Sequence, residues 1–225
     1  MKKTLLIIIA SITVIIFAFN GAAKIVKTVN TPVVSSRKTV VIDAGHGGKD
    51  RGTSGVDGSA EKDINLKIAL SLRDYLMVSG INTVCVREGD YEIYPVGSDR
   101  NKSDLYNRLD FINSVDNAVM ISIHQNHFSD EREHGAQIWY SANTAESKIY
   151  SDLILNSIKE FLQPDNKRIN KRSDSSYYIL YKASVPSLML ECGFMSNREE
   201  NEQLKNKEYQ NNIAFCVLTG ICGEV

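Results

Sequence analysis

The chain has 225 residues, enough for an N-terminal segment and one domain of ordinary size. Its 26 basic and 27 acidic residues leave a net charge of −1, with no basic block. That excludes nucleic acid as an expected partner, and an anionic polymer would not be captured by overall charge.

Met1-Lys2-Lys3 is basic, and the stretch from Thr4 to Ala23 carries no charge. An apolar run with no polar face is of no use to a soluble domain, so the segment predicts export. Residues 1–23 read as a secretory signal peptide, with Gly21-Ala22-Ala23 as a small-residue cleavage site, or as a membrane anchor. Residues 24–38 mix polar, basic and β-branched residues and read as a linker. The domain is expected over 39–225, with no internal repeats.

Val40-Val41-Ile42 predicts a buried strand that ends in the tight turn Gly45-His46-Gly47-Gly48. A helix is expected from Glu61, with Ile64, Ile68, Leu72, Tyr75 and Leu76 at helical spacing, Ser59 as its cap and Gly80 at its end. Strands are expected over 81–87, 118–124, 136–141, 177–181 and 187–191, and a polar loop over 88–102. Further helices are expected over 103–114, 146–162, 198–205 and 209–221. The alternation predicts an α/β domain: a roughly six-stranded, mostly parallel twisted sheet with helices on both faces.

Three apolar runs each deliver a chemically active group at their ends: His46, His124 and Glu191. Glu61 falls in the first turn of its helix. Ligands usually bind at the carboxyl edge of such a sheet. Two histidines and a glutamate from separate elements match a catalytic zinc site of the His₂Glu type. Glu191 is then free to act as a general base. The glycine-rich turn fits neither phosphate motif, since Asp50 stands where GxGxxG needs glycine and Gly48-Lys49 lacks a following Ser or Thr. His127 and His134 compete with His124 as ligands but read as solvent-facing or substrate-edge residues. Cys85, Cys192, Cys216 and Cys222 contain no CxxC and read as free, mostly buried thiols. Cys192 should point away from Glu191 into the core.

The motifs Ile42-Asp43-Ala44-Gly45-His46-Gly47-Gly48, Glu61-Lys62 with Asn65-Leu66, Ser122-Ile123-His124-Gln125-Asn126, and Glu191-Cys192-Gly193-Phe194-Met195-Ser196-Asn197 stand in this order. Together they resemble the zinc-dependent N-acetylmuramoyl-L-alanine amidases of the amidase-3 family, from about Thr39 to the C-terminus. The short domain most resembles the germination-specific amidases of spore-forming bacteria. The resemblance implies a zinc ion on His46, Glu61 and His124, with Glu191 moving the proton. It implies peptidoglycan as substrate, cut at the amide between N-acetylmuramic acid and L-alanine. In the germination-specific group that cut leads to muramic-δ-lactam in the spore cortex, together with a separate deacetylase. Arg108 matches an arginine of the family, and a salt-bridged surface role fits it equally well. Ala44 stands where the family commonly has proline, and Gln125 where alanine is common; beside His124, Gln125 is expected to narrow the substrate range. No long insert is present to block the site, so an accessory exported activator protein is expected, received by 49–60 and 129–135. Two rivals stand beside this reading. One is another exported zinc hydrolase, such as a wall peptidase or deacetylase. The other is a catalytically weak wall-binding regulatory protein, against which the presence of all four site residues counts.

Overall fold

The computed structural model describes residues 38–94 and 104–225. The expected signal or anchor segment, the linker up to residue 37, and residues 95–103, the second half of the expected 88–102 loop with the first residue of the next expected helix, lie outside these residues. Among the described residues no helix is long and apolar enough to cross a membrane.

Six strands form one sheet. They are β1 (Thr39–Ala44), β2 (Thr83–Cys85), β3 (Ala118–Asn126), β4 (Gln137–Tyr140), β5 (Lys171–Arg172) and β6 (Ser187–Phe194). Their spatial order is β2-β1-β3-β6-β4-β5. Every pairing is parallel except β4 with β6. The helices are α1 (Glu61–Val78), α2 (Asp104–Asn113), α3 (Ala145–Phe161), α4 (Tyr178–Lys182), α5 (Arg198–Lys205) and α6 (Lys207–Ile221).

Strands buried on both faces read as continuous apolar runs, which is why Val40-Val41-Ile42 and Ala118 to Ile123 show no alternation. One face packs Val40, Ile42, Val119, Ile121 and Leu190 against Ile64, Ile68 and Leu72 of α1, Ile154 and Ile158 of α3, and Ile213 and Val217 of α6. The other packs Val41 and Met120 against Ile112 of α2 and Leu180 of α4. The expected layering, helices on both faces of a six-stranded sheet, is the layering observed.

Two local expectations were overturned. Residues 177–181 are not a strand. The Tyr181 amide donates to the Tyr177 carbonyl at 2.9 Å, closing a helical turn that buries Leu180 and leaves Tyr181 exposed. The strand missing from that count is β5, two exposed residues beside β4. Ser59 does not cap α1: Ala60 occupies the cap position without a side-chain bond, and the Ser59 hydroxyl donates to Asn201 Oδ1 at 3.2 Å.

Candidate metal centre and active site

The carboxyl ends of β1, β3 and β6 meet at one edge, and the N-terminus of α1 faces them. His46 lies just past β1, His124 near the end of β3, and Glu191 is its register partner on β6. A bulge follows at once, between His124 and Asn126. Bulges of this kind re-aim side chains beside active sites.

Glu61 is the hub. Its Oε1 lies 3.0 Å from His124 Nδ1, and its Oε2 lies 3.2 Å from His46 Nε2. The remaining lone pairs accept the Gln125 amide (3.0 Å), the Thr53 amide (2.8 Å) and Asn65 Nδ2 (3.2 Å). On the far side of His46, Nδ1 meets Asp50 Oδ2 at 2.7 Å. A carboxylate on that nitrogen fixes the tautomer and turns the other nitrogen inward, as behind many metal-bound histidines. The two imidazoles stand nearly perpendicular, centroids 5.0 Å apart.

Burial alone would raise the Glu61 carboxyl, but the hydrogen bonds and charges of His124 and His46 outweigh it and hold the group well below the usual carboxylate range. Burial opposes the charged form of His46, yet Glu61 and Asp50 together raise it to about 9. Glu191 goes the other way: burial, with the Glu61 charge adding to it and His124 opposing, pushes it up to about 7. Its Oε2 is sealed from water and has no hydrogen-bond partner.

Two glycines leave room for this cluster. A Cβ on Gly45 would sit 2.2 Å from the His124 ring, and one on Gly52 would sit 2.5 Å from Glu61 Oε2. An apolar cavity of about 200 Å³ adjoins His124, lined by Leu105, Met120, Tyr177, Ile179 and Met189 among others.

His46, Glu61 and His124 each offer a ligand atom, and these atoms all lie within 4.8 Å of one another. Atoms held ~2.0–2.2 Å from one tetrahedral centre lie about 3.4 Å apart. Glu61 reaches the two imidazoles through different oxygens, Oε1 to His124 at 3.0 Å and Oε2 to His46 at 3.2 Å, so it brings both rings to one point. The donor set suits zinc, and the partnerless Glu191 oxygen belongs to the register partner of His124. A sequence model of the family described as N-acetylmuramoyl-L-alanine amidase matches residues 40–223.

The chain belongs to the N-acetylmuramoyl-L-alanine amidase family. Such amidases hydrolyse the amide between N-acetylmuramic acid and L-alanine in peptidoglycan, and this is the activity of the chain. It is 31% identical to the germination-specific N-acetylmuramoyl-L-alanine amidase of Bacillus subtilis, over 83% of this chain and 79% of that protein. It is 25% identical to the N-acetylmuramoyl-L-alanine amidase AmiA of Escherichia coli, over 82% of this chain and 75% of that one. Among solved structures it resembles the CwlD amidase of Clostridioides difficile in complex with the GerS lipoprotein. There the TM-score is 0.77 at 36% identity, covering 83% of this chain and 97% of the other.

Other residues singled out from the sequence fall elsewhere. His127 and His134 are exposed and outside the cluster. Cys192 is fully buried in the core, and Cys216 is buried too, while Cys85 is half-buried and Cys222 exposed; all four thiols are free. Asn197 caps α5, its Oδ1 accepting the Glu199 and Glu200 amides. Phe194 lies under the Arg168 guanidinium at 4.3 Å. Gln125 does not reach the cleft. It is buried on the side of β3 opposite His124 and donates to Asn65 Oδ1 at 3.0 Å, so it steadies Asn65 rather than sorting substrates. Arg108 is no surface residue: it is 3% exposed and pairs with Asp43 at 2.6 Å. The amidase's Asp50 and Arg87 carried no signal in the sequence, since neither stands in a spacing that marks a partner.

Proposed function

We propose that this amidase is zinc-dependent, that His46, Glu61 and His124 hold the ion, and that Glu191 is its general base. The convergence of three ligand-type side chains from three segments onto one point, beside a raised carboxyl, supports this reading. A zinc ion held there would supply Lewis acidity, polarising an amide carbonyl and lowering the pKa of a water from 15.7 to about 7.

The chain's own groups do the rest. Asp50 keeps the His46 Nδ1 proton in place, so Nε2 remains a lone-pair donor. The Glu191 carboxylate takes a proton from the attacking water and delivers it to the nitrogen of L-alanine as the C–N bond breaks. The products are the muramic lactyl carboxylate and a free L-alanine amino group. A carboxyl raised to about 7 can both accept and return a proton near neutrality. The apolar cavity beside His124 offers a dry wall for the methyl groups flanking the scissile amide.

The substrate we assign is spore-cortex peptidoglycan, cut on the way to muramic-δ-lactam. The likeness to the germination-specific amidase of Bacillus subtilis supports it. The protein acts outside the cytoplasm, exported by residues 1–23. The Clostridioides difficile amidase is paired with a lipoprotein. A comparable exported partner would dock here on 49–60 and 129–135, which flank the ligand-bearing segments.

The test is mass spectrometry of wall fragments after incubation with zinc-loaded protein. New L-alanine amino termini with intact N-acetyl groups are expected. Deacetylated glycan, or cleavage within the peptide, would overturn the reading.

A further inference from the structure

We infer that Arg87 and Arg108 are positioning residues: two buried guanidiniums that clamp the Ala44-Gly45-His46 turn and hold the His46 imidazole ready for metal. The inference rests on the reading of His46 as a ligand.

The turn needs holding. His46 has φ 61°, and it and Asn117 are the two non-glycine residues with positive φ among the described residues. A side chain in that region is strained and persists only where the surroundings over-determine it. Here they do so through the carbonyls. The Ala44 carbonyl accepts from Arg87 Nε at 2.8 Å and from Arg108 Nη1 at 2.9 Å. The Gly45 carbonyl accepts from Arg87 Nη2 at 3.0 Å, and the His46 carbonyl from Arg108 Nη2 at 2.5 Å. Three successive carbonyls thus point into two guanidiniums. A planar fork with fixed donor directions dictates where those oxygens sit, and a lysine ammonium cannot.

Arg87 is the unusual member. It is 1% exposed, and its four hydrogen bonds among the described residues all end on backbone carbonyls: Ala44, Gly45, Lys62 and Gly89. No carboxylate shares those bonds. Burying a cation without a bonded anion is unfavourable, and the second guanidinium nearby adds like-charge repulsion. The Lys62 carbonyl extends the grip to the first turn of α1, next to Glu61. Arg108 ties the same turn to Asp43, which accepts Ser122 Oγ at 2.9 Å on the strand that carries His124. The two arginines therefore register all three ligand-bearing segments against one another.

The experiment uses the full chain purified in detergent micelles. Zinc affinity is measured by competition with a chromophoric chelator, and site geometry by the visible spectrum of the Co²⁺-loaded protein. Both are set beside thermal melting of the metal-free form. Arg87→Lys and Arg108→Lys are compared with wild type and with His46→Ala. Lysine keeps the charge and loses the fork. We expect both to fold, to bind zinc about 10–100-fold more weakly, the usual effect of losing a residue that orients a metal ligand, and to show an altered Co²⁺ spectrum. Should Arg87→Lys fail to fold, Arg108→Lys decides, because its ammonium can still pair with Asp43. Wild-type zinc affinity and spectrum in a folded Arg108→Lys protein would overturn the inference. So would the failure of both variants to fold, which would make the clamp a matter of folding alone. If His46→Ala itself retains full zinc affinity, the ligand assignment falls instead.

Discussion

Gly45→Ala is the sharpest single perturbation of this site. Gly45 carries no positive φ, so alanine is acceptable to its backbone, and the change adds only one methyl carbon. That carbon would lie 2.2 Å from His124 Cε1 and from Nε2, where ordinary contact begins at 3.4 Å. The ring must therefore retreat by about 1.2 Å, while the other nitrogen is bound to Glu61. A displacement of ~1 Å in a catalytic constellation costs on the order of 10² in rate. We expect kcat/KM for muropeptide amide cleavage to fall about 10²-fold, with weaker zinc binding by chelator competition. The melting temperature of the metal-free protein should move little, because His124 can swing toward the open cleft. Unchanged zinc affinity and turnover in a folded Gly45→Ala protein would refute the placement of His124 at the reaction centre.

Other variants separate the roles. Glu191→Gln should retain zinc and fold while losing about 10²–10⁴ in rate, the usual worth of a positioned proton-transfer group; turnover near wild type would remove Glu191 from the mechanism. His124→Ala should abolish tight zinc binding whereas His127→Ala should not, and equal metal content in the two purified variants would contradict the ligand set. Asp43→Asn tests the buried pair with Arg108 through pH. Burial alone would raise Asp43, but the Arg108 charge foremost, with His124 and Ser122, holds it below its ordinary 3.8. A depressed carboxyl stabilises the fold above the unfolded value and loses that contribution as pH falls through the folded one. Urea melts should show wild type ahead of Asp43→Asn by about 3 kcal/mol at pH 7, with the gap closing toward pH 3; a gap that widens on acidification would reverse the argument.

The residues that meet at the sheet edge were legible because each ends an unmistakable apolar run or opens a strongly periodic helix. His46, Glu61, His124 and Glu191 could be named before their geometry was known. Less legible was whatever depends on partners distant in sequence. Tyr177-Tyr178-Ile179-Leu180-Tyr181 is rich in strand-favouring residues, and five residues are too few to show a helical period; burial of Leu180 decided the matter. Lys171-Arg172 has no apolar pattern, since both residues are exposed. Strand alternation placed Cys192 opposite Glu191, and the same rule places Gln125 opposite His124, although motif proximity had suggested the cleft. Arg87 read as the end of a strand, because a donor to backbone carbonyls leaves no mark in either sequence it joins.

The hub at Glu61 and His124, whose partners are 63 residues apart in the chain, has a consequence for how the domain lives with its metal. No contiguous peptide holds two of the proposed ligands in position, so the unfolded chain offers only scattered, weak donors. Zinc would then bind the native state almost alone, and its free energy of binding becomes free energy of folding. At a hundred times its dissociation constant it would add about 2.7 kcal/mol, a sizeable share of a typical domain's margin. Resistance to heat and to proteases would then track the free zinc of the surroundings, and a zinc-poor compartment would thin the folded population as well as silence it.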